Sequence, residues 1–336
     1  MTGYGEPSWH PHASVETLKA RAELNRSVRA FFSAREVLEV ETPILSAHAT
    51  VDRHIESFAV TYPESRTSNP GLWLHTSPEF AMKRLLAAGS GPIYQIAKVF
   101  RREEQGRHHN PEFSLLEWYR PGWNHLQLMD EVEALVRALG VASEEPFERL
   151  SYRAAFLLHA GLDPVRSDFM RLRDGLAEFE ISLPMGITRE EMENRDFWLN
   201  LWMSQVVGPR LGQSAPCFLY DFPASQAALA RVRPGLTEHD APVAERFELF
   251  WKGIELANGF HELTDAAEQE ARFQRDQAAR EQAGLRVPPY DAHLIAALQA
   301  GLPACAGVAL GLDRLLMLKL GLNELASTLS FAGDRA

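Results

Sequence analysis

The chain has 336 residues, 46% of them hydrophobic and 24% charged, with a formal net charge of −11. This composition is typical of a globular protein built as one large domain, or as a domain with a substantial insertion. The acidic balance argues against a broad electrostatic footprint on nucleic acid, which requires clustered lysines and arginines. The sequence has no run of about 18 apolar residues and no signal peptide over Met1–His12, so we expect a cytoplasmic protein.

The side chains that most often hold transition metals or act as nucleophiles form no recognisable motif. The two cysteines, Cys217 and Cys305, lie far apart and form no CxxC pair, so neither a disulfide framework nor a cysteine zinc site is predicted. The twelve histidines are scattered, a distribution more typical of surface and core residues than of metal ligands. No serine-histidine-acid order and no thiol nucleophile stands out.

The first part of the chain predicts a long amphipathic helix and an antiparallel hairpin. Apolar residues recur at helical spacing after Ser14, which we interpret as the N-cap of that helix. A short β-favouring stretch then ends at Pro43, and such an edge strand is a natural subunit contact. In chain order, the pattern predicts a helix over 14–35, a strand over 37–43, a helix over 78–88, strands over 92–100 and 113–119, and a helix over 130–139.

Residues from about 140 to 240 carry helical stretches broken by prolines, and we interpret them as an insertion. Beyond them the pattern predicts two strands and a turn over 247–263, a helix over 265–283, a helix over 291–300, a strand over 307–311 and a helix over 313–320. Strands outnumber simple βαβ units, so the fold class is predicted to be α+β, an antiparallel sheet flanked by helices. Residues 1–14 are predicted to be a tail and 15–336 one domain that includes the insertion.

The loop between the two strands of the hairpin carries an unusual set of ligand-binding groups. Arg101, Arg102 and Glu103 follow the first strand, and Asn110 and Phe113 lead into the second. A solvated turn would explain the charge alone. It explains less well an arginine pair, a carboxylate, an amide and an aromatic ring within 13 residues. Arginines bind a phosphate bidentately, a carboxylate or amide oxygen can accept a hydrogen bond from the exocyclic amine of adenine, and an aromatic ring or a guanidinium can stack on a purine.

A second cluster consists of Gly307, Gly311 and Arg314. Glycines let the backbone approach a ligand closely, and the arginine sits at a predicted helix start. Taken alone, the cluster is equally well explained by a core strand containing glycine, followed by a surface arginine. It gains weight only beside the hairpin loop, and it is not a phosphate loop of the GxxxxGK[ST] type, which is absent.

A third cluster is acidic. Glu248 and Glu255 are seven residues apart, which places them on opposite faces of one continuous strand unless a bulge or turn intervenes. With such an irregularity they could share a Mg²⁺ ion; without it, each is a surface charge at a strand end. Glu79, Glu117 and Glu262 lie on otherwise apolar segments, where unpaired burial is costly. A cationic ligand is the simplest explanation for several such glutamates.

Taken together, these segments resemble the signature motifs of class II aminoacyl-tRNA synthetases, and the resemblance covers the chain from about residue 15 to its end. The order and spacing make the match specific. The segments that resemble the three class motifs are Val37–Pro43, Phe100–Glu103 with Arg107–Phe113, and Gly307–Arg314, and those that resemble the lysyl branch are Thr76–Glu79, Leu116–Tyr119 and Glu255–Leu263.

The resemblance is closest to the truncated lysyl-tRNA synthetase paralogues that modify translation elongation factor P. Lysyl-tRNA synthetases place an anticodon-binding OB-fold domain before the catalytic core. Here the helix of the first motif starts by about Ser14, so no OB-fold domain is expected. The resemblance therefore implies an ATP-dependent, AMP-forming ligase that uses Mg²⁺. Its substrates would be lysine or β-lysine and a lysine side chain of elongation factor P, and it would be a homodimer with tRNA not expected as a partner.

The resemblance also implies a role for individual residues. Substrate binding falls to Ser77, Pro78, Glu79, Tyr119, Glu255, Asn258, Phe260 and Glu262. ATP binding falls to Arg101, Arg102, Glu103, His109, Asn110, Phe113, Glu248, Leu249, Gly307, Gly311 and Arg314, with Arg101 and Arg314 catalytic and Glu248 and Glu255 holding the metal.

Ala257 departs from the lysyl-tRNA synthetase pattern, which has glycine at the matching position. One added methyl narrows a pocket, and such a change is typically worth about 1–3 kcal/mol in discrimination between substrates. Our hypothesis is that Ala257 disfavours the α-amino group of ordinary lysine and leaves room for the β-isomer.

Two other functions remain open at this point. A minimal tRNA ligase that recognises only the acceptor stem would need a local patch of lysines and arginines, which the sequence does not clearly show. A non-catalytic sensor of an amino acid or nucleotide would predict a broken motif. Arg101, Glu103, Glu255 and Arg314 are nevertheless all present.

Overall fold

The structure is a computed structural model that describes residues 9–61, 71–141, 145–181, 183–184, 186–235, 241–333 and 335–336. Residues 1–8 of the predicted tail lie outside this description. The chain divides into two compact units, the first comprising Met1–Gly122, Ala138–Val141 and Thr264–Ala336, and the second comprising Trp123–Arg137 and Ala142–Leu263.

The described elements alternate between helices and strands along the chain. The helices are α1 Val15–Ser33, α2 Glu79–Ala87, α3 His125–Ala138, α4 Tyr152–Ala160, α5 Phe169–Asp174, α6 Arg189–Glu193, α7 Arg195–Trp202, α8 Ala266–Gln282, α9 Ala292–Gly301 and α10 Leu312–Lys319. The strands are β1 Leu38–Glu39, β2 Leu45–Ser46, β3 Ala59–Val60, β4 Leu72–Leu74, β5 Ile93–Phe100, β6 Glu112–Pro121, β7 Glu148–Ser151, β8 Cys217–Pro223, β9 Val232–Arg233, β10 Val243–Trp251, β11 Ile254–His261 and β12 Cys305–Gly311.

Helix α1 begins where the sequence predicts and packs by its apolar face. The Ser14 hydroxyl accepts a hydrogen bond of 3.1 Å from the Thr17 N–H, which satisfies one of the unpaired donors of the first turn. On the same helix Phe32 is fully buried, and its ring stacks on that of Tyr94 in β5 with centroids 4.5 Å apart. Burial of each such side chain contributes roughly 1.5–3 kcal/mol, so packing on the sheet rather than propensity holds α1 in place.

The sheet of the first unit brings three chain segments to one end. Strand β1 lies parallel to β5, and β5 pairs antiparallel with β6, which pairs antiparallel with β12. Phe100 is opposite Glu112, and Gly311 is opposite Leu115. The end of β5, the start of β6 and the end of β12 therefore lie side by side.

The second unit has its own strands and its own apolar core. Strand β10 pairs antiparallel with β8, β9 and β11, and β7 lies parallel to β8. Trp198 and Trp202 are fully buried in the core beneath them. The indole N–H of Trp202 donates to the Leu172 carbonyl at 2.7 Å, so its single polar group is satisfied. Most of this core comes from the predicted insertion, whose status as an insertion stays a prediction.

The α+β class is confirmed, but several predicted elements have different bounds; β10, for example, begins at Val243 instead of residue 247. Only Leu38 and Glu39 form a strand in the stretch predicted over 37–43. Helix α3 begins at His125 instead of residue 130 because Asn124 and Gln127 exchange side-chain-to-backbone hydrogen bonds of 3.0 Å, a capping arrangement that the sequence analysis overlooked. No helix among the described residues has both the length and the hydropathy of a membrane span.

Candidate active site

The loop between β5 and β6 is folded back on itself and tied to the last part of the chain. Its base continues the ladder, because the Arg101 N–H donates to the Pro111 carbonyl at 2.9 Å. Gly106 and His109 exchange backbone hydrogen bonds of 3.2 Å. The Leu325 N–H donates to the Arg107 carbonyl at 2.9 Å. These bonds hold the loop in a defined shape although its side chains face solvent.

Arg101 lies at the root of this loop with its guanidinium against an aromatic ring. The carbon of that group is 5.1 Å from the centroid of the Phe113 ring. Its Nη1 donates to Glu104 at 2.9 Å, and 26% of its side chain is exposed. Its Nε donates to the Thr76 carbonyl at 3.4 Å. These contacts hold the guanidinium in place, and its remaining N–H groups could bind a phosphate.

The other predicted ATP-binding residues of the loop differ in their surroundings. Arg102, Glu103 and His109 are exposed. The Asn110 amide, by contrast, is used within the protein, because its Nδ2 donates to the Glu112 carbonyl at 2.6 Å and its Oδ1 accepts from the Gly333 N–H at 3.2 Å. Asn110 therefore shapes the loop in this structure.

Arg314 stands in the first turn of α10, and its Nε donates to the His108 carbonyl of the same loop at 3.2 Å. The neighbouring Asp313 is 2% exposed. Its carboxylate accepts a 2.7 Å bond from the Ser114 N–H in β6 and a 2.5 Å bond from Arg21 in α1. Asp313 thus fixes the turn that carries Arg314. The sequence analysis missed it, although an acidic residue within an otherwise apolar segment was a signal.

A carboxylate cluster surrounds Glu117 in β6. Ser77 donates to one Glu117 oxygen at 2.8 Å and Tyr119 to the other at 2.7 Å. The Glu79 N–H donates to the Ser77 hydroxyl at 3.0 Å, and Lys83 donates to the Glu79 carboxylate at 2.6 Å. Three predicted substrate-binding residues therefore meet around one buried acid. Pro78 lies between two of them as the N-cap of α2, and Gly307 of β12 is opposite Tyr119.

Lys83 changes one argument drawn from the sequence. It is 1% exposed and supplies an internal positive charge to Glu79, so burial of Glu79 does not by itself require a cationic ligand. Glu117 is different. Burial raises its pKa to about 7, and the Glu79 charge adds to this effect, while the hydrogen bonds from Tyr119 and Ser77 oppose it. A bound amine would favour the ionised carboxylate.

In the second unit, the β10–β11 hairpin contains the irregularity on which the shared-metal hypothesis depends. Glu248 is opposite Asn258, but the register shifts between Leu249 and Phe250, so that Glu255 is opposite Phe250. Because opposite residues share a face, the bulge brings Glu255 to the side of Glu248. Burial raises the pKa of Glu248, and the Glu255 charge raises it further against the effect of a neighbouring arginine. Arg246 forms an ion pair with Glu248, so a divalent cation held by these two mutually repelling carboxylates would share Glu248 with the arginine.

The remaining predicted residues of this unit occupy both faces of the hairpin. Asn258 has a buried Oδ1 with no hydrogen-bond partner among the described residues, which is suited to accept from an amine. Phe260 shares its face by strand alternation, and Glu262 just beyond the strand is 2% exposed. Ala257 and Leu249 are opposite each other on the other face. A role for Leu249 in ATP binding is therefore limited to its backbone.

A family model described as "tRNA synthetases class II (D, K and N)" matches residues 10–335. The chain belongs to this family. This confirms the resemblance drawn from the three motifs. Within the family, the protein from Vibrio cholerae serotype O1 named "Elongation factor P--(R)-beta-lysine ligase" is 51% identical over 330 residues, which is 98% of each chain. Proteins of the same name from Salmonella typhi and Salmonella gallinarum are 48% identical over 335 residues, again 98% of each chain.

Proposed function

We propose that this chain is an ATP-dependent, AMP-forming ligase that activates lysine, preferentially (R)-β-lysine, and attaches it to a lysine side chain of elongation factor P. The observation that carries the proposal is the match over 98% of the chain to relatives of that name. It is supported by the geometry of the first unit, in which Arg101 and Arg314 meet the same loop.

The first step forms an acyl adenylate. A carboxylate oxygen of the amino acid attacks the α-phosphorus of ATP, and the bond to the pyrophosphate leaving group breaks. Such a transfer needs positioning and charge neutralisation more than covalent help from the protein. In our proposal Arg101 orients the α-phosphate and the attacking carboxylate, and Arg314 neutralises the leaving phosphates.

The second step transfers the acyl group to the acceptor. The deprotonated ε-amine of a lysine on elongation factor P attacks the acyl carbon, an amide bond forms, and AMP leaves. The ammonium must first lose a proton, which the phosphate or a nearby carboxylate can accept. No covalent intermediate with the protein is needed.

Glu248 and Glu255 are the residues that would hold Mg²⁺. Their placement on one side of the bulge and the raised pKa of Glu248 fit a hard cation, which one or two carboxylates and phosphate oxygens together satisfy. When bound, the ion would supply charge neutralisation for the phosphates. The protein's part is to hold these two carboxylates on one side of the hairpin, and a bound cation would favour their ionised form.

The amine-binding part of the proposal makes a pH prediction. Because the pKa of Glu117 is raised to about 7, this carboxyl group takes up a proton as pH falls through neutrality. Binding of the cationic amino acid should then weaken, since each pH unit below that pKa reduces the ionised fraction about tenfold. The KM for lysine or β-lysine in ATP–pyrophosphate exchange should rise between pH 8 and pH 6.

The Glu117→Gln variant is the matched test of this prediction. It should have a high KM at every pH and a much flatter pH profile, because its side chain cannot ionise. A Glu117→Gln profile as steep as that of the unmodified protein would assign the titration to another group. The raised pKa also means that Glu117 binds a proton more tightly in the folded state than in the unfolded state. The contribution of Glu117 to the free energy of unfolding should therefore decrease as pH rises from the ordinary glutamate pKa towards 7.

Selection of the β-isomer is the second prediction within this proposal. Ala257 is 2% exposed, and its methyl packs on the face away from Asn258. Its effect would therefore reach the amine through the position of the adjoining Asn258 backbone. Ala257→Gly should shift the ratio of α-lysine to β-lysine activation towards α-lysine by about 10-fold or more. An unchanged ratio in pyrophosphate exchange would remove Ala257 from the specificity determinants.

The decisive experiment measures the amino acid and the acceptor separately. ATP–pyrophosphate exchange with α- and β-lysine reports the first step. Intact-mass analysis of elongation factor P and of tRNA, each incubated with enzyme, ATP and amino acid, reports the second. We expect a lysine-sized mass gain on elongation factor P. A gain on tRNA alone would overturn the choice of acceptor in favour of a minimal tRNA ligase, and no exchange with any amino acid would favour a sensor.

We also propose that the protein works as a cytoplasmic homodimer. The region of the first motif exposes apolar side chains, with Leu38 56%, Ile44 42% and Leu45 36% exposed. A second copy covering them would remove this apolar surface from water. Sedimentation equilibrium would test this, with a monomer at micromolar concentration as the contrary result.

A further inference from the structure

Three side chains able to ligate a metal meet inside the second unit, and the proposed reaction uses none of them. His125 begins α3, Glu245 lies in β10, and His261 ends β11. One ligand atom from each residue lies within 4.8 Å of the other two. His125 and Glu245 are 4% and 9% exposed. The cluster is therefore enclosed by protein, unlike an acidic patch on a surface.

The fold places this cluster on the opposite side of the hairpin from the proposed Mg²⁺ ligands. Arg246 is opposite Phe260, so Glu245 and His261 lie across from each other on the other face. Next to them, the register between β8 and β10 shifts between Ala244 and Phe247.

Asp221 lies at this shift. It has a left-handed φ of 57°, an unusual conformation for a residue with a side chain. Its Oδ1 is 3.9 Å from the Nε2 of His125. Aspartate adopts this conformation more readily than most residues with a side chain, and here it accompanies the change of register between β8 and β10.

The polar atoms of this cluster lack the hydrogen bonds that burial normally demands. Nδ1 of His125, Oδ1 of Asp221, Oε2 of Glu245 and Nδ1 of His261 are all buried without a hydrogen-bond partner in the described part of the chain. Buried polar groups are paired in the large majority of cases. Oε2 of Glu245 and Nδ1 of His261 are at least close to charged neighbours. Nδ1 of His125 and Oδ1 of Asp221 have no such close partner among the described residues, which indicates that a ligand is missing at this place.

A purely internal ion-pair network explains only part of this arrangement. The Nε of Arg231 is 2.7 Å from Oε2 of Glu245, and Arg233 donates to Oδ2 of Asp221 at 2.5 Å. These arginines balance the two carboxylate charges, but they leave the imidazole nitrogens unexplained. Nδ1 of His261 is 2.8 Å from Glu245 Oε2, and the Glu245 carboxylate opposes the effect of burial on the pKa of this ring; the ring of His125 has no carboxylate at such a distance. Arg231 is 48% exposed, so it can move into solvent when another cation takes the carboxylate.

Burial favours the neutral form of both imidazoles, which is the form that binds metals. Burial, with a further contribution from the neighbouring positive groups, lowers the pKa of His125 to about 4. Burial likewise lowers the pKa of His261. Neutral imidazole has a lone pair for a metal ion, whereas the protonated ring has none.

We propose that His125, Glu245 and His261 bind one zinc ion, which joins α3 to the β10–β11 hairpin, and that Asp221 supports the ring of His125 from outside the ligand set. Two imidazoles with a carboxylate suit Zn²⁺, whereas Mg²⁺ prefers oxygen ligands alone. Tetrahedral ligands with bonds of about 2.1 Å are roughly 3.4 Å apart, which small side-chain shifts would reach here. The ion would stabilise the strand that leads into Glu262.

The test uses the full-length protein, stripped with a chelator and titrated with Co²⁺ or Zn²⁺ alone. We expect one ion per chain by elemental analysis, and visible absorption of tetrahedral Co²⁺ without near-ultraviolet bands from thiolate. Zn²⁺ should displace the Co²⁺, an excess of Mg²⁺ should not, and saturating Zn²⁺ should raise the melting temperature. ATP and amino acid are absent, so the result does not depend on the proposed ligase activity.

Two variants and one control assign the ligands. His125→Gln should bind Zn²⁺ about 100-fold more weakly, because removal of a metal ligand lowers metal affinity at least as much as removal of a residue that hydrogen-bonds to a ligand. His159→Gln, on α4 of the same unit, should bind as the unmodified protein does. Arg231→Gln, at a partly exposed position, should bind more tightly because the competing cation is gone.

The proposal fails if the unmodified protein takes up no stoichiometric Co²⁺ or Zn²⁺, or if thiolate bands appear. Unmodified affinity in a folded His125→Gln variant would also overturn it. Should that variant not fold, Arg231→Gln keeps the proposal testable, because unchanged or weaker binding would contradict the assignment of Glu245 as a ligand.

Discussion

Replacing Arg101 with alanine is expected to lower the rate of ATP–pyrophosphate exchange by about 10³-fold or more, with little change in stability. An arginine that neutralises charge on a transferring phosphoryl group contributes on the order of 10³–10⁵ in rate. The Arg101 guanidinium lies over the Phe113 ring, and a quarter of the side chain is exposed, so its removal opens no cavity in the core. The measurement is kcat and KM of exchange with saturating amino acid.

The Arg26→Ala variant is the control for loss of one positive charge, because Arg26 lies on the exposed face of α1 with 71% of its side chain in solvent. It should exchange pyrophosphate at the unmodified rate. Arg101→Lys adds a further comparison. It keeps the charge but loses the planar fork, so it should recover only part of the rate. Full activity in a folded Arg101→Ala protein would show that this side chain does not contact the phosphates.

Replacing Glu248 with glutamine is expected to reduce exchange by about 100-fold and to raise the Mg²⁺ concentration needed for half-maximal rate. The carboxylate is buried, its pKa is raised by that burial, and Glu255 repels it. Glutamine keeps an oxygen that can accept from Arg246, but it leaves the largely buried Arg246 guanidinium without its charged partner. The free energy of unfolding should therefore fall as well, so the affinity for a hard cation, which falls strongly, is measured on protein shown to be folded.

Mn²⁺ binding measured by electron paramagnetic resonance gives a readout that does not require turnover. Glu248→Gln should bind Mn²⁺ with ATP more weakly than the unmodified protein. Glu133→Gln is the matched control, since Glu133 also pairs with an arginine in the second unit, at 2.9 Å from Arg137. Unchanged Mn²⁺ affinity and unchanged Mg²⁺ dependence in Glu248→Gln would exclude this residue as a metal ligand.

Much of the first unit could be predicted because its signals are local. Helix α1, strands β5 and β6 and the loop between them follow from apolar periodicity, a serine cap and a run of charged residues. The same kind of pattern failed at α3, since its start depends on a reciprocal bond between Asn124 and Gln127. Nothing in the periodicity of the apolar residues marks that cap.

The partners of buried charges could not be predicted in this way. Lys83 neutralises Glu79 from one helical turn away, and Asp313 connects β6 and α1 to the turn that carries Arg314. From the sequence, a bulge between Glu248 and Glu255 could be named as a requirement for a shared metal ion, but its presence could not be predicted. Each of these features depends on which distant segments meet in the fold and on how the strands pair, and a single sequence does not reveal either.

The contacts between the hairpin loop and the last residues of the chain have a practical consequence. The Arg107 carbonyl accepts a hydrogen bond from the Leu325 N–H, and the Arg107 side chain donates to the Asn323 carbonyl. The Asn110 side-chain oxygen accepts from the Gly333 N–H. Proteolytic trimming beyond Leu320, or a purification tag fused behind Ala336, would disturb the residues that brace this loop. Trimming would also remove Leu325 and Leu329, which are buried, so the weaker nucleotide affinity would come with a lower melting temperature; a tag should weaken nucleotide affinity with a smaller change in melting temperature.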